Sequence, residues 1–141
     1  MKRKASAEWR GDLKTGKGAV STESGVLEKT PYSFSTRFEG ARGTNPEELV
    51  AAAHAACFTM ALSAELGKAN LVAESLSTTA TVTLDKVDGA WSVTESHLEV
   101  VGKITGAPSE EFQKAAQAAE TGCPISKLFR AKITLDAKLE S

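Results

Sequence analysis

Gly43-Thr44-Asn45-Pro46-Glu47-Glu48-Leu49-Val50-Ala51-Ala52-Ala53-His54-Ala55-Ala56-Cys57-Phe58-Thr59-Met60-Ala61-Leu62 is the stretch on which the fold turns. Asn45 suits a helix N-cap, Pro46 the first helical position, and Glu47 and Glu48 the positive end of the helix dipole. Gly67 is the expected stop. No formal charge falls between Leu49 and Leu62, and small side chains occupy much of the circumference. A helix apolar nearly all round is one packed on most sides, so this segment is expected to be the buried spine of the fold.

Upstream, Ala7-Glu8-Trp9 and Ala19-Val20-Ser21-Thr22 read as short strands around a Gly- and Lys-containing stretch. From Pro31 the alternation of Tyr32, Phe34, Thr36 and Phe38 against Ser33, Ser35, Arg37 and Glu39 predicts a further strand. Downstream, Leu76, Thr78, Ala80, Val82 and Leu84 share one strand face, and Asp85-Lys86-Val87-Asp88-Gly89 turns the chain into a strand beginning near Trp91. A helix is expected from Ser109 to Gly122, then a short helical turn in Cys123-Pro124-Ile125-Ser126-Lys127-Leu128-Phe129. A last strand carries Ile133, Leu135, Ala137 and Leu139 on one face. Blocks of strands separated by helices predict an α+β fold of largely antiparallel sheet on the central helix. Without repeats or linkers, residues 1–141 are expected to form a single domain.

The composition narrows the function. The 141 residues carry 17 Lys and Arg against 18 Asp and Glu, a net charge of -1, so there is no bulk attraction to nucleic acid or an anionic membrane. At 41% hydrophobic and 25% charged the chain matches globular rather than disordered proteins. No stretch has the roughly 18 to 20 uninterrupted apolar residues of a membrane span. The basic start Met1-Lys2-Arg3-Lys4 lacks the apolar core of a secretion signal, and the expected location is cytoplasmic. In a reducing compartment, two cysteines point to catalysis, metal binding or burial before a permanent disulfide.

Cys57 sits mid-helix, where a free cysteine ordinarily behaves as a small hydrophobe and gains nothing from its own helix N-terminus. Cys123, between Gly122 and Pro124, can lie at a helix start where the dipole favours thiolate. One thiol in a spine and one on a break between helices suggest a nucleophile and a resolving partner. The natural cation for Cys57 is Arg37, with Arg42 in its glycine-bracketed loop a weaker rival; a solvated arginine on an open sheet face is the ordinary alternative. Glu47 and Glu48 suit the dipole, and one of them can also hold Arg37 in a bidentate pair. The helical rise places Glu47 about 15 Å along the axis from Cys57, so a site using both needs another element or a second subunit. His54, one turn before Cys57, opens a Cys-His hydrolase reading, and His54, Cys57, His97 and Cys123 are a possible zinc set whose spacing fits no compact motif.

Thr36-Arg37-Phe38-Glu39-Gly40, Gly43-Thr44-Asn45-Pro46-Glu47-Glu48-Leu49, Ala52-Ala53-His54-Ala55-Ala56-Cys57-Phe58-Thr59-Met60-Ala61-Leu62-Ser63, Ala80-Thr81-Val82-Thr83-Leu84-Asp85-Lys86-Val87 and Gly122-Cys123-Pro124-Ile125-Ser126 together resemble the OsmC/Ohr family. The resemblance runs from Trp9-Arg10-Gly11-Asp12 to Ile133-Thr134-Leu135-Asp136, essentially the whole chain. It is to the OsmC branch: Ohr proteins take their active-site arginine from an N-terminal glycine-rich loop, and Lys14-Thr15-Gly16-Lys17-Gly18 has none.

The resemblance implies a thiol-dependent peroxidase reducing organic hydroperoxides in stress defence, with no metal or organic cofactor. It implies an intertwined homodimer with active sites at the subunit interface and a dithiol reductant of lipoyl type. Cys57 matches the peroxidatic cysteine, Cys123 the resolving one in an intrasubunit disulfide, Arg37 the activating arginine and Glu47 the glutamate that orients it. Phe58, Met60 and Leu62 are candidate apolar walls for an alkyl substrate, or core. The rival reading from another class is a non-catalytic dimeric thiol protein that binds an apolar ligand or senses oxidants.

Overall fold

The computed structural model describes residues 1–140, and the chain falls into two compact units, Met1–Leu49 and the remainder from Val50. In the first, β1 (Ala5–Arg10), β2 (Lys17–Thr22) and β3 (Thr30–Tyr32) form an antiparallel sheet in that order. Asp12 shapes the β1–β2 loop, its Oδ1 accepting from the backbone N–H groups of Lys14 and Thr15 at 2.9 Å. The Trp9 and Tyr32 rings lie 5.6 Å apart over Gly18, where a Cβ would come within 2.5 Å of Tyr32.

The strand expected to continue to Phe38 ends at Tyr32, and α1 (Phe34–Phe38) follows. The cause is local. Ser33 Oγ accepts from the Thr36 N–H while Thr36 Oγ1 accepts from the Ser33 N–H, a reciprocal cap that starts a helix. Phe34 and Phe38 then fall one turn apart on one face, with ring centroids 4.9 Å apart. Arg37 therefore sits in the last turn of a short helix rather than on the polar face of a strand.

The long helix α2 (Pro46–Lys68) begins as expected, Asn45 Oδ1 accepting the Glu48 N–H at 2.7 Å. It ends beyond Gly67. Asn70 takes a left-handed φ of 58°, the Leu71 N–H reaches the Leu66 carbonyl and the Asn70 N–H the Gly67 carbonyl, a Schellman closure with asparagine in place of glycine.

In the second unit, β4 (Ser75–Val87) and β5 (Ala90–Lys103) form a long antiparallel hairpin. Its Asp88-Gly89 turn has φ of 51° and 81°, the left-handed pair of a two-residue hairpin loop. Then come α3 (Ser109–Gly122), α4 (Pro124–Leu128) and β6 (Lys132–Glu140). The expected antiparallel character fails at this edge: β6 runs parallel to β5, which requires the crossover that α3 and α4 supply. The sheet order is β4-β5-β6, so the fold remains α+β with one mixed sheet.

The core lies between that sheet and the helices. Leu98 and Val100 of β5 pack with Phe58, Leu62 and Leu66 of α2 and Phe112, Ala116 and Ala119 of α3. Leu76, Ala80, Ile133, Leu135, Ala137 and Leu139 close its flanks. Only one stripe of α2 is buried, at His54, Phe58, Leu62 and Leu66, and Ala52, Ala53, Ala56, Met60 and Ala64 are exposed. The helix expected to be buried on most sides is thus buried on one face within this chain. Its length and composition would suffice to cross a bilayer, although His54, Thr59 and Ser63 break the apolar run and its buried stripe packs in the core.

Candidate active site

Cys57 lies midway along α2 and Cys123 at the junction where α3 ends and α4 begins. Both are free thiols, and their Sγ atoms are 2.8 Å apart. That is inside van der Waals contact, and a disulfide of about 2.05 Å needs a further approach of less than about 1 Å. The two differ in access: Cys57 is half-buried, Cys123 wholly enclosed among the core side chains. An oxidant arriving from solvent meets Cys57 first. Burial pushes the Cys57 thiol above its ordinary range, and its hydrogen bond to Cys123 adds to the effect. The Ile125 backbone N–H, hydrogen-bonded to the Cys57 sulfur, acts in the opposite sense. The first turn of α4 thus gives Cys57 one backbone donor, and the thiol remains pushed upward on balance.

Arg37 and Glu47 are brought together within the first unit. Arg37 Nε donates to both carboxylate oxygens of Glu47, at 3.2 and 3.1 Å, and Nη2 donates to Oε1 at 2.6 Å. The pair fixes the guanidinium by one edge, and Glu47 keeps only 13% of its side chain exposed. Glu48 has a different task, accepting the buried Thr44 hydroxyl at 2.8 Å. Arg42 lies in an exposed loop. Beside Arg37 is a cleft of about 270 Å³ walled by Trp9, Leu13, Tyr32, Phe34 and Phe38. Of the residues named as candidate apolar walls, Phe58 and Leu62 are core and Met60 points to solvent.

His54 does not serve Cys57. Its Nδ1 is 2.6 Å from Ser96 Oγ and its Nε2 2.8 Å from Ser126 Oγ, and it is wholly buried with Phe129 edge-on at 4.9 Å. Burial lowers its pKa, which keeps the ring neutral. With both nitrogens engaged, it has none left for a neighbouring thiol, and the hydrolase reading loses its base. His97 is directed elsewhere, to Thr134 and to Asp136 at 3.1 Å on the outer face of the sheet. Among the described residues, no three His, Cys, Asp or Glu side chains converge as a metal site would need.

Ser96, Ser126 and Ile125 are the site residues that sequence reasoning missed. Ser96 had a signal: it is the polar member of the inward row Ser96, Leu98, Val100, and a polar residue there must have a partner. Nothing in the sequence says that the partner is His54.

A model of the OsmC-like protein family matches residues 39–138. Along 139 residues, 99% of this chain and 97% of the relative, the chain is 52% identical to peroxiredoxin OsmC of Escherichia coli. It is 32% identical to the organic hydroperoxide resistance protein OhrB of Bacillus subtilis over 87% of this chain and 88% of that one. The crystal structure of that OhrB matches the fold with a TM-score of 0.69 at 27% identity, covering 97% of this chain and 98% of the other. An OsmC-like protein of unknown function from Vibrio cholerae matches with a TM-score of 0.78 at 18% identity, covering 97% and 99%, a likeness of fold alone.

Proposed function

Because the chain belongs to the OsmC-like protein family, we propose that it is a thiol-dependent peroxidase that reduces organic hydroperoxides to alcohols in stress defence. The observation that carries the mechanism is the sulfur pair, 2.8 Å apart, unbonded, and open to solvent only at Cys57.

In the first step the Cys57 thiolate attacks the peroxide oxygen distal to the alkyl group. The O–O bond breaks, the alkoxide takes a proton and leaves as the alcohol, and Cys57 becomes a sulfenic acid. We assign Arg37 the part of favouring the thiolate and donating to the peroxide oxygens, a part that the upward push of burial on the Cys57 thiol calls for. Glu47 holds the guanidinium in one orientation for this. The aromatic cleft beside Arg37 suits an alkyl group better than hydrogen peroxide. Cys123 then attacks the Cys57 sulfur, and the intrasubunit disulfide forms as water leaves. A dithiol of lipoyl type restores both thiols by exchange.

The chain acts as a homodimer with active sites at the subunit interface. The exposed Ala and Met face of α2 supports this, as does a β1-β2-β3 sheet without a buried hydrophobic side chain of its own. We read residues 1–141 as one functional domain, since the relative aligns along nearly all of it. A reducing cytoplasm suits a cycle that begins and ends in free thiols.

The test is peroxide consumption with dihydrolipoamide and with glutathione, comparing cumene hydroperoxide with hydrogen peroxide. Wild type is expected to reduce the organic peroxide faster, Cys57→Ser to be inert, and Cys123→Ser to react once and stall. Activity surviving in Cys57→Ser overturns the mechanism. A single oxidation without turnover, with either reductant, identifies a sensor instead.

A further inference from the structure

We propose that His54 is a positioning residue for disulfide closure: by bridging Ser96 and Ser126 it anchors the first turn of α4 and holds the Cys123 sulfur against Cys57. This rests on the peroxidase reading for its oxidant and on geometry for the rest.

Besides the Ile125 N–H on the Cys57 sulfur and the Phe129 ring on His54, two side-chain hydrogen bonds join α2 to the α4 segment, His54 to Ser126 and Cys57 to Cys123. Each pair of positions is three residues apart, in opposite chain directions, so the contacts are successive rungs about 4.5 Å apart between antiparallel turns. The first rung is a hydrogen bond between wholly or nearly buried groups, Ser126 being 6% and His54 0% exposed. Its far end is tied to the sheet, because the other imidazole nitrogen meets Ser96 of β5. A neutral imidazole has one donor and one acceptor, so one serine hydroxyl donates to it and the other accepts from it. The three groups complete one another without a charge. α4 is a single short helix with a proline at its start, and the Ser126 rung joins it to the long helix beside the sulfurs.

The step served is Cys57–SOH plus Cys123–SH giving the disulfide and water. The Cys123 sulfur forms the S–S bond and is oxidised, the Cys57 S–O bond breaks, and the hydroxide leaves with the Cys123 proton. If Cys123 drifts, the sulfenic acid persists and a second peroxide converts it to sulfinic acid. The partition between disulfide and sulfinic acid therefore reports the position of Cys123, whatever the rate of the first oxidation.

The experiment titrates reduced wild type, His54→Phe, Ser126→Ala and Ser126→Thr with cumene hydroperoxide and reads the products by intact mass. Folding is checked by circular dichroism. The sulfinic fraction is expected to rise at least fivefold in His54→Phe and Ser126→Ala and to return toward wild type in Ser126→Thr, which restores the hydroxyl. A parallel arm closes the disulfide with diamide, which needs no peroxidase chemistry. Slower closure in the same two variants supports positioning even if wild type ignores the hydroperoxide, an outcome that sinks the peroxidase reading alone. Wild-type partition and closure rates in folded Ser126→Ala and His54→Phe overturn the proposal and leave the peroxidase reading standing.

Discussion

Glu47 grips Arg37 along the edge formed by Nε and Nη2, and in the proposed mechanism the other terminal nitrogen is the one that meets the peroxide. Hydrogen bonds to charged groups contribute about 1.5–3 kcal/mol, so Glu47→Gln is expected to lower kcat/KM for cumene hydroperoxide by about ten- to a hundredfold. Unchanged kcat/KM in that variant would remove Glu47 from the mechanism. His54 supplies a second prediction at this scale. Burial depresses its folded pKa below the ordinary value of about 6.5, so between those two values the unfolded chain binds more protons. The stability it contributes is present above about pH 6.5 and is lost as pH falls through the lower folded value. Thermal melting from pH 7.5 to 5.5 is expected to show a steeper loss of Tm in wild type than in His54→Phe. Equal slopes would mean that His54 is not the group responsible.

Elements were legible where their ends carried their own chemistry. Asn45-Pro46-Glu47-Glu48 starts α2 and Asp88-Gly89 turns the hairpin, whereas α3 keeps its expected range Ser109–Gly122 without those signals: Pro108 is its N-cap residue with no side-chain cap, and Gly122 is still helical, the cap falling on Cys123. The failure at Phe34–Phe38 has the same root: aromatic residues two and four apart suit a strand face or a helix face, and the Ser33–Thr36 cap decided for the helix. The Gly67 stop failed because Asn70 supplied the left-handed residue three positions later. Packing between elements yields a prediction at Gly102, opposite Leu76 on the inner sheet face. A Cβ there would lie 2.6 Å from Phe112 Cε2 and 2.9 Å from Cζ, so Gly102→Ala forces α3 off the sheet. Overpacking of this kind costs about 1–3 kcal/mol, measurable as a lower midpoint in urea. A midpoint equal to wild type would show that the ring has room to move.

At the scale of the whole molecule, α2 buries one stripe and leaves Ala52, Ala53, Ala56 and Met60 in solvent, with Met60 77% exposed. Small residues along one helix face permit close approach of a second helix, and the proposed homodimer covers that face. Light scattering on the purified protein is expected to give twice the 14.8 kDa chain mass. Met60→Lys, which sets a charge in the contact, is expected to shift the protein toward monomer and to reduce peroxidase turnover with it. A wild type that is monomeric at micromolar concentration yet fully active would refute the interfacial site.

By itself the sequence determined the capped helix carrying Cys57, the hairpin, the α3–α4 break carrying Cys123, and through its ordered motifs the family. These are local signals, written in residues close together in the chain, and caps, turns and alternation act over a few positions. The tertiary structure alone decided that β6 lies parallel to β5 and how near the two sulfurs lie, a pairing that only the family resemblance, and no local signal, had implied. It also decided that His54, one turn from Cys57 and an apparent base, spends both nitrogens on Ser96 and Ser126. Those pairings join residues up to 72 positions apart. No periodicity reaches that far, because it is burial that obliges each polar group to find a partner, and the choice of partner is made only when the core closes.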